Sequence, residues 1–438
     1  MKKALLVTSI SPNKSAGLIL DLASVLENLG YSVDILTKYK EEQSAYNIIS
    51  AYDYFEPEPR TTFAQKIKKR FPFLKNIHKP SYYFSRKNKK STYAYLVNEK
   101  EDIPSVPSEL FLHKIKKGQY EFVIITFMQY MLSTKSIGDI YQHLKVPIFL
   151  YSADMFPMTG GCHYFENCRN FLEHCGHCPI LGEKEQKDQT YFNYSYKKSI
   201  YNTANVIFLG NKWMNEYAGK APILENVPIR KMMSIVNEDS FCIKDKKEAR
   251  QYFDIDENCF LMFAGAANLA ILRKGFKYLI ESVNKFVNQK DITGRKIVLL
   301  LAGQQSDFLD NCFYTEIKQV GFLSAKELSL AYSAADVFLC PSIEDAGPSM
   351  INQSLMCGTP VISFNMGVAL DLIENHKTGV RVELKDTESF ANAIRWAYQL
   401  SNDEQIKIRK QCRQIATDTC SKKAIEESFA LLIKEFVQ

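Results

Sequence analysis

Short apolar runs alternate along the chain with stretches in which apolar residues recur every three or four positions. The first run, residues 4–10, predicts a buried strand, and a turn-like SPNKSAG segment follows it. Gly30 ends the next stretch, and Tyr31–Thr37 predicts a second strand. One helical face between the two strands collects the apolar residues Leu18, Leu22, Val25, Leu26 and Leu29. This β-α-β unit predicts a parallel sheet.

The same alternation continues to the carboxyl end and divides the chain in two. Further strands are predicted at 121–126, 146–151, 205–209, 260–264, 296–302, 318–321, 337–339 and 361–363. Helices are predicted at 136–144, 274–286, 325–335 and 349–356. Because a single core rarely grows past about 300 residues, the 438 residues predict two α/β domains. We expect Rossmann-like domains over 1–205 and 206–400, with parallel sheets facing across a cleft, and a helix over 401–438 that crosses back to the first domain.

Composition and cysteine content predict the compartment in which the protein is found. Apolar residues make up 46% and charged residues 24% of the chain, which is an ordinary globular balance, and the net charge is only +6. The sequence contains no run of 18 apolar residues, so that a membrane-spanning helix is not expected. An odd count of eleven cysteines without an export signal favours the reducing cytoplasm.

One segment departs from the even charge distribution. Residues 60–97 carry many lysines, arginines and aromatic residues but no acidic residue. Such a stretch suits an anionic membrane surface, which predicts a peripheral position at the inner membrane face. A solvated loop is the alternative. Nucleic acid is not expected as a partner because no recognised binding module is present.

Glycines and cations near predicted strand ends suggest a phosphate site. Gly17 follows the first strand, and Gly265 ends the strand before Arg273 and Lys274. Ligands of parallel sheets bind at the carboxyl ends of strands, and two cations beside such an end suit a diphosphate. The alternatives are a simple turn glycine and a solvated basic helix start. No G-x-G-x-x-G pattern supports a dinucleotide.

An acidic loop precedes the helix predicted at 349–356. Glu344 and Asp345 could accept hydrogen bonds from sugar hydroxyls, and Gly347 and Pro348 lead into Ser349. The free N–H groups at this helix start suit phosphate. Gln353 lies one turn further and faces the loop. An ordinary βαβ connection with a capping acid is the alternative.

Four cysteines lie close together in the segment GGCHYFENCRNFLEHCGHCP. Thiolates clustered in a cytosolic protein favour a tetrahedral zinc site, which would be structural because four thiolates close the coordination shell. Unligated thiols in a compact loop are the alternative. The D-x-D pattern at Asp254 and Asp256 is expected in a surface turn and not at a metal. The proposed zinc ligands are Cys162, Cys168, Cys175 and Cys178.

Together these motifs resemble the large retaining glycosyltransferase family four, which has the GT-B fold. The resemblance covers nearly the whole chain and is strongest over residues 334–379, where YSAADVFLCPS, CGTPVISF and ENHKTGV follow in the family's order. LRKGFKYLIES looks like the family's Lys-Gly segment. DMFPMTGGCHYFENC…CGHCP is similar to a motif of a bacterial subgroup that builds surface polysaccharides.

The resemblance implies that a sugar passes from a nucleoside diphosphate sugar to an acceptor hydroxyl, with retention and without a catalytic metal. The basic segment at 60–97 suits a lipid-linked acceptor, and a saccharide acceptor is the alternative. Lys274, with Arg273, would neutralise the diphosphate. Backbone groups of Ser349 and Met350 would hold phosphate oxygens, and Gly17 would leave room for them.

The chain also departs from the family pattern. Asp345 and Gln353 occupy the positions of two family glutamates, with Glu344 one residue out of register. Ala153 stands where a histidine often precedes the first-domain aspartate, here Asp154, and Ala266 replaces an arginine. A degenerate, non-catalytic member that binds sugar or a partner in a polysaccharide assembly complex is therefore the alternative, followed by another sugar-nucleotide enzyme such as an epimerase.

Overall fold

The structure is a computed structural model that describes residues 2–12, 17–41, 44–56, 100–182, 185–292, 294–304 and 315–437. Its named strands form two parallel sheets of seven and six strands. Helices precede or follow most strands, and apolar side chains fill both faces of each sheet. The predicted architecture of two α/β domains with parallel sheets is confirmed.

The first sheet has the strand order β3-β2-β1-β4-β5-β6-β7. Its strands are β1 (Lys2–Val7), β2 (Tyr31–Thr37), β3 (Asn47–Ser50), β4 (Phe122–Ile125), β5 (Ile148–Tyr151), β6 (Val206–Gly210) and β7 (Ile229–Lys231). The last two strands lie beyond residue 205, where the sequence places the end of the first domain. Because β6 pairs with β5, and β7 with β6, the boundary of the first sheet moves past Lys231.

The second sheet has the order β10-β9-β8-β11-β12-β13. Its strands are β8 (Phe260–Asn268), β9 (Ile297–Gln304), β10 (Glu316–Gly321), β11 (Val337–Cys340), β12 (Val361–Phe364) and β13 (Gly379–Val382). Buried apolar residues form the runs 260–264 of β8, 298–302 of β9 and 337–340 of β11. Continuous apolar runs of this kind suit a parallel sheet that helices cover on both faces.

Helices connect successive strands and cover the two sheets. They are α1 (Leu18–Asn28), α2 (Glu109–Leu112), α3 (Thr134–Leu144), α4 (Gln189–Tyr201), α5 (Lys212–Ala218), α6 (Lys246–Tyr252), α7 (Phe276–Val287), α8 (Ala325–Ala334), α9 (Ser349–Met356), α10 (Ala369–Leu372), α11 (Thr387–Gln399), α12 (Asn402–Cys420) and α13 (Lys422–Phe436). The helix predicted at 274–286 begins later, because a separate 3₁₀ turn, Leu272–Lys274, precedes α7. Gly275, with φ of 71°, separates the turn from the helix.

The carboxyl-terminal segment consists of two helices and not one. Ser421 ends α12 in an extended conformation, and its hydroxyl accepts the Ala424 N–H at the start of α13. Helix α13 then packs on the first domain, where Asn28 of α1 donates to Glu426 at 3.1 Å and Phe436 meets Phe149 edge-on. The last helix therefore links the two domains.

The sequence makes two predictions about membranes, and the described residues bear on one of them. Among the described helices, none combines the length and the apolar character needed to span a bilayer. The basic segment at 60–97 lies outside the described residues, and its predicted contact with an anionic surface stays a prediction.

Candidate active site

A cavity of about 600 Å³ lies between the two domains. Ser152, just after β5, lines it from the first domain, and Gly347, in the loop after β11, lines it from the second. Gly17, Ser349 and Gln353 line it as well. The carboxyl ends of strands from both sheets therefore contribute to one cavity, as expected for ligand sites of parallel sheets.

The acidic loop meets the cavity at the start of α9. Pro348 occupies the position before Ser349, so that the first backbone N–H groups of α9 have no intrahelical acceptor. Met350 lies half-buried behind this end, where a Cβ added to Gly265 would come within 2.9 Å of its methyl group. Gly265 thus allows close packing and does not line the cavity. Gln353 accepts a hydrogen bond from the Tyr332 hydroxyl at 3.2 Å.

Two cations converge on Asp345 behind this wall. Lys274 Nζ forms a short hydrogen bond to Asp345 Oδ2, and Arg273 Nη1 lies 3.2 Å from the same oxygen. Asp345 Oδ1 also accepts the backbone N–H of Gly347 at 3.3 Å. Burial alone would raise the pKa of Asp345, but Lys274 and Arg273 beside it outweigh burial and hold that pKa below its usual range. Asp345 is therefore an ionised group that connects the cations to the cavity wall.

A close backbone approach positions these cations. The loop after β11 runs so near the 3₁₀ turn that a Cβ on Gly275 would lie 1.8 Å from the Pro341 carbonyl oxygen. Ile343 N–H donates to the Arg273 carbonyl at 2.8 Å and fixes the two segments together. The Lys-Gly pair therefore needs glycine for space as well as for its positive φ.

The Glu344 side chain is bonded to the backbone of the first domain. Its Oε1 atom accepts the backbone N–H groups of Phe165 at 2.9 Å and Glu166 at 3.1 Å. Burial raises the pKa of Glu344, and the two backbone bonds offset only part of that rise. The two neighbouring carboxylates of the loop thus have different surroundings and opposite pKa shifts.

Asp154, after β5, lies in a buried polar network of the first domain. It forms a short hydrogen bond with Nδ1 of His163, accepts Gln129 Nε2 at 2.7 Å and accepts the Phe156 N–H at 2.9 Å. His163, nine positions along the chain, belongs to the cysteine segment, and its spacing from Asp154 does not predict this contact. The structure thus brings a histidine to Asp154 although Ala153 precedes it.

The four cysteines surround a separate cavity of about 270 Å³. A hydrogen bond between Cys162 and Cys178 raises the pKa of Cys162 and lowers that of Cys178 to about 7. Within the described ranges, no three Cys, His, Asp or Glu side chains converge closely enough to hold a metal ion. Zinc–sulfur bonds of about 2.3 Å would require these thiols to draw together, and the predicted zinc site stays a prediction.

Eight of the predicted site residues therefore fall into three groups. Gly17, Gly347, Ser349 and Gln353 line the cavity. Arg273, Lys274 and Asp345 form an ion cluster behind its wall, whereas Asp154 lies in its own network in the first domain. The D-x-D pattern lies elsewhere, where exposed Asp254 pairs with Lys318 at 3.2 Å.

Sequence comparison gives a family for the second half of the chain. Residues 245–419 match the model of the family described as Glycosyl transferases group 1. An uncharacterized glycosyltransferase of Methanocaldococcus jannaschii is 25% identical over 141 residues, which are 31% of this chain and 35% of that protein. WcaL of Escherichia coli, which is named for colanic acid biosynthesis, is 26% identical over 27% of this chain and 30% of its own length. The matched stretches span about a third of these relatives.

Comparison of structures covers the whole chain. Sucrose-phosphate synthase from Thermosynechococcus elongatus superposes with a TM-score of 0.64 at 15% identity and covers 99% of both chains. HepE of Anabaena, solved with UDP and glucose, superposes with a TM-score of 0.62 at 12% identity, covering 99% of this chain and all of its own. At such identities the likeness establishes the fold, which is GT-B. The family model thus matches residues 245–419, and over the whole chain the likeness is one of fold.

Proposed function

We propose that this chain transfers a sugar from a nucleoside diphosphate sugar to an acceptor hydroxyl with retention of the anomeric configuration. The observation that carries the proposal is the cavity between the sheets. Its wall contains the start of α9, and Asp345 joins that wall to Lys274 and Arg273. A helix start and two cations are the groups that a diphosphate requires.

The chemistry follows from the charge of the leaving group. Cleavage of the bond between sugar and diphosphate develops negative charge on the phosphate oxygens, and fixed cations stabilise it. Lys274 and Arg273 supply these cations, and the N–H groups of Ser349 and Met350 bind the remaining oxygens. Asp345 holds both cations in place, with the sugar accepted near Gln353. The described residues supply these charges themselves, and we propose a reaction without a catalytic metal.

The donor and the pathway are proposed from the relatives. HepE was solved with UDP and glucose, and we propose a uridine or a related nucleoside diphosphate sugar as donor. WcaL is named for colanic acid biosynthesis, which supports a role in surface polysaccharide synthesis at the inner membrane face, with a lipid-linked or saccharide acceptor. The comparisons do not favour the non-catalytic alternative.

A thermal-shift screen with UDP, GDP, ADP and CMP tests the proposal. A ligand at 100 times its dissociation constant adds about 2.7 kcal/mol of stability to the protein that binds it. We expect one diphosphate to stabilise the wild type and to have a much smaller effect on Lys274→Ala. Exposed Lys277, three positions along on α7, provides the control Lys277→Ala, which should respond like the wild type. Equal shifts in all three proteins would contradict the assignment of Lys274.

A further inference from the structure

Four consecutive residues of the first domain contact both halves of the candidate site. His163 binds Asp154, and the Tyr164 ring lies 3.9 Å from the Arg273 guanidinium carbon. The next two residues, Phe165 and Glu166, donate their backbone N–H groups to Glu344. We call residues 163–166 the bridge, because they connect the Asp154 network to the loop that carries Asp345.

The bridge is firmly anchored in the first domain. The Phe165 ring stacks on Phe171 with centroids 4.9 Å apart, and it also meets Tyr217 at 5.1 Å and Trp213 at 6.2 Å. Such packing orders a backbone and so fixes the direction of its N–H groups. The two donors therefore form a preformed acceptor-binding position on the surface of the first domain.

Glu344 occupies that position from the second domain. Glu344 is 5% exposed, and a buried carboxyl group needs hydrogen-bond partners, which these backbone donors supply. Since donors and acceptor belong to different domains, these bonds depend on the arrangement of the two domains. Glu344 therefore binds the neighbouring domain, and its carboxylate is not directed at a sugar.

The contact between the bridge and the second domain also positions the Arg273 guanidinium. The guanidinium has the Tyr164 ring on one side, while Nη1 reaches Asp345 Oδ2 at 3.2 Å and the Glu344 carbonyl at 3.3 Å. Moving the bridge would remove the aromatic face and let the side chain turn away from Asp345. The position of Arg273, one of the two cations proposed to bind the diphosphate, thus depends on a contact between domains.

We propose that Glu344 is a positioning residue, which anchors the bridge to the second domain and thereby holds Arg273 at the diphosphate site. This inference rests on the proposed function, in which Arg273 binds the diphosphate. It assigns different roles to two adjacent carboxylates, since Asp345 contacts the cations and Glu344 acts through Tyr164.

Two measurements on the full chain test the proposal, namely hydrogen exchange of the bridge amides and the dissociation constant of UDP (or whichever diphosphate the screen selects). In Glu344→Ala the amides of Phe165 and Glu166 should exchange at least about tenfold faster, because their acceptor is lost. The dissociation constant should rise about tenfold, as for loss of one charge-assisted hydrogen bond. Glu344→Gln keeps an oxygen acceptor and should restore most of both properties.

Tyr164 provides an independent pair of variants if Glu344→Ala folds poorly. Tyr164→Ala removes the aromatic face and should weaken nucleotide binding, whereas Tyr164→Phe keeps it and should not. The control is Glu173→Ala, at an exposed position of the cysteine segment but outside the bridge. It should match the wild type in both measurements. Unchanged bridge exchange in Glu344→Ala, or equal affinities for Tyr164→Ala and Tyr164→Phe, would overturn the proposal.

The design separates this inference from the proposed function. Lys274→Ala should weaken nucleotide binding while leaving exchange of the bridge amides unchanged. If no nucleoside diphosphate binds the wild type, the proposed function fails and the positioning role fails with it, even where the exchange result shows the contact itself. If nucleotide binds and only the bridge variants behave like the wild type, the positioning role alone fails.

Discussion

Replacing Asp345 by asparagine tests the ion cluster directly. The substitution keeps the shape of the side chain but leaves Lys274 and Arg273 without their shared carboxylate. Asp345 is 6% exposed, whereas the side chains of Arg273 and Lys274 are 16% and 23% exposed. Removing one partner of a fully buried ion pair destabilises a protein by about 3–5 kcal/mol. Because water can reach both cations here, we expect a somewhat smaller cost, about 2–4 kcal/mol.

The chain contains a reporter for the domain concerned. Of its two tryptophans, Trp396 lies in α11 of the second domain and Trp213 in α5 of the first. In a Trp213→Phe background, fluorescence therefore follows unfolding of the second domain alone. With a slope near 2 kcal/mol per molar urea, Asp345→Asn should lower the urea midpoint by about 1–2 M. Asp418→Asn, at an exposed position of α12, should change stability by less than about 0.5 kcal/mol.

The pH dependence has a definite sign. Because the folded pKa of Asp345 is depressed, its contribution is fully present above the ordinary aspartate pKa of about 3.9. The contribution is lost as pH falls through the depressed folded value. The stability difference between wild type and Asp345→Asn should thus be constant from about pH 5 to 8 and shrink only below about pH 4. An Asp345→Asn midpoint equal to that of Asp418→Asn at pH 7 would refute this account of the cluster.

Two further predictions concern the surroundings of the cluster and the cysteines. Gly275→Ala should destabilise the second domain by more than a strained backbone alone, which costs about 1–3 kcal/mol, because the added Cβ would strike the Pro341 carbonyl. Gly321→Ala, with the same φ of 71° but open space around it, measures the backbone contribution alone. Equal urea midpoints for the two variants would exclude the clash. Metal analysis of purified protein should find about one zinc per chain and almost none in a Cys175→Ser, Cys178→Ser double variant; less than about a tenth of an equivalent in the wild type would contradict the predicted zinc site.

Local patterns predicted the elements well where side-chain spacing decides them. The strand Tyr31–Thr37 and the helix Ser349–Met356 are observed with their predicted bounds, since apolar periodicity reports directly which face is buried. The start of α7 was misplaced because one glycine with positive φ separates it from the preceding turn. Spacing alone does not register a single backbone conformation of that kind.

Contacts between distant segments were beyond such reasoning. Periodicity identifies β6 as a strand but not the sheet that it joins, so the domain boundary at 205 fell too early. Likewise, the pairs His163–Asp154 and Glu344–Phe165 depend on how two loops meet after the sheets have formed. The residue types in each loop suggested chemistry, whereas their partners required the tertiary structure.

The two adjacent carboxylates of the acidic loop, Glu344 and Asp345, have different surroundings. Asp345 faces two cations and has a lowered pKa, while Glu344 faces two neutral backbone donors and has a raised pKa. Environments that separate the pKa values of neighbouring carboxylates commonly separate their roles. Because the Asp345 carboxylate is bonded to Lys274 and Arg273, a diphosphate that approaches these cations must compete with Asp345. Two adjacent residues of the loop therefore have different partners, namely cations of the second domain for Asp345 and backbone donors of the first domain for Glu344.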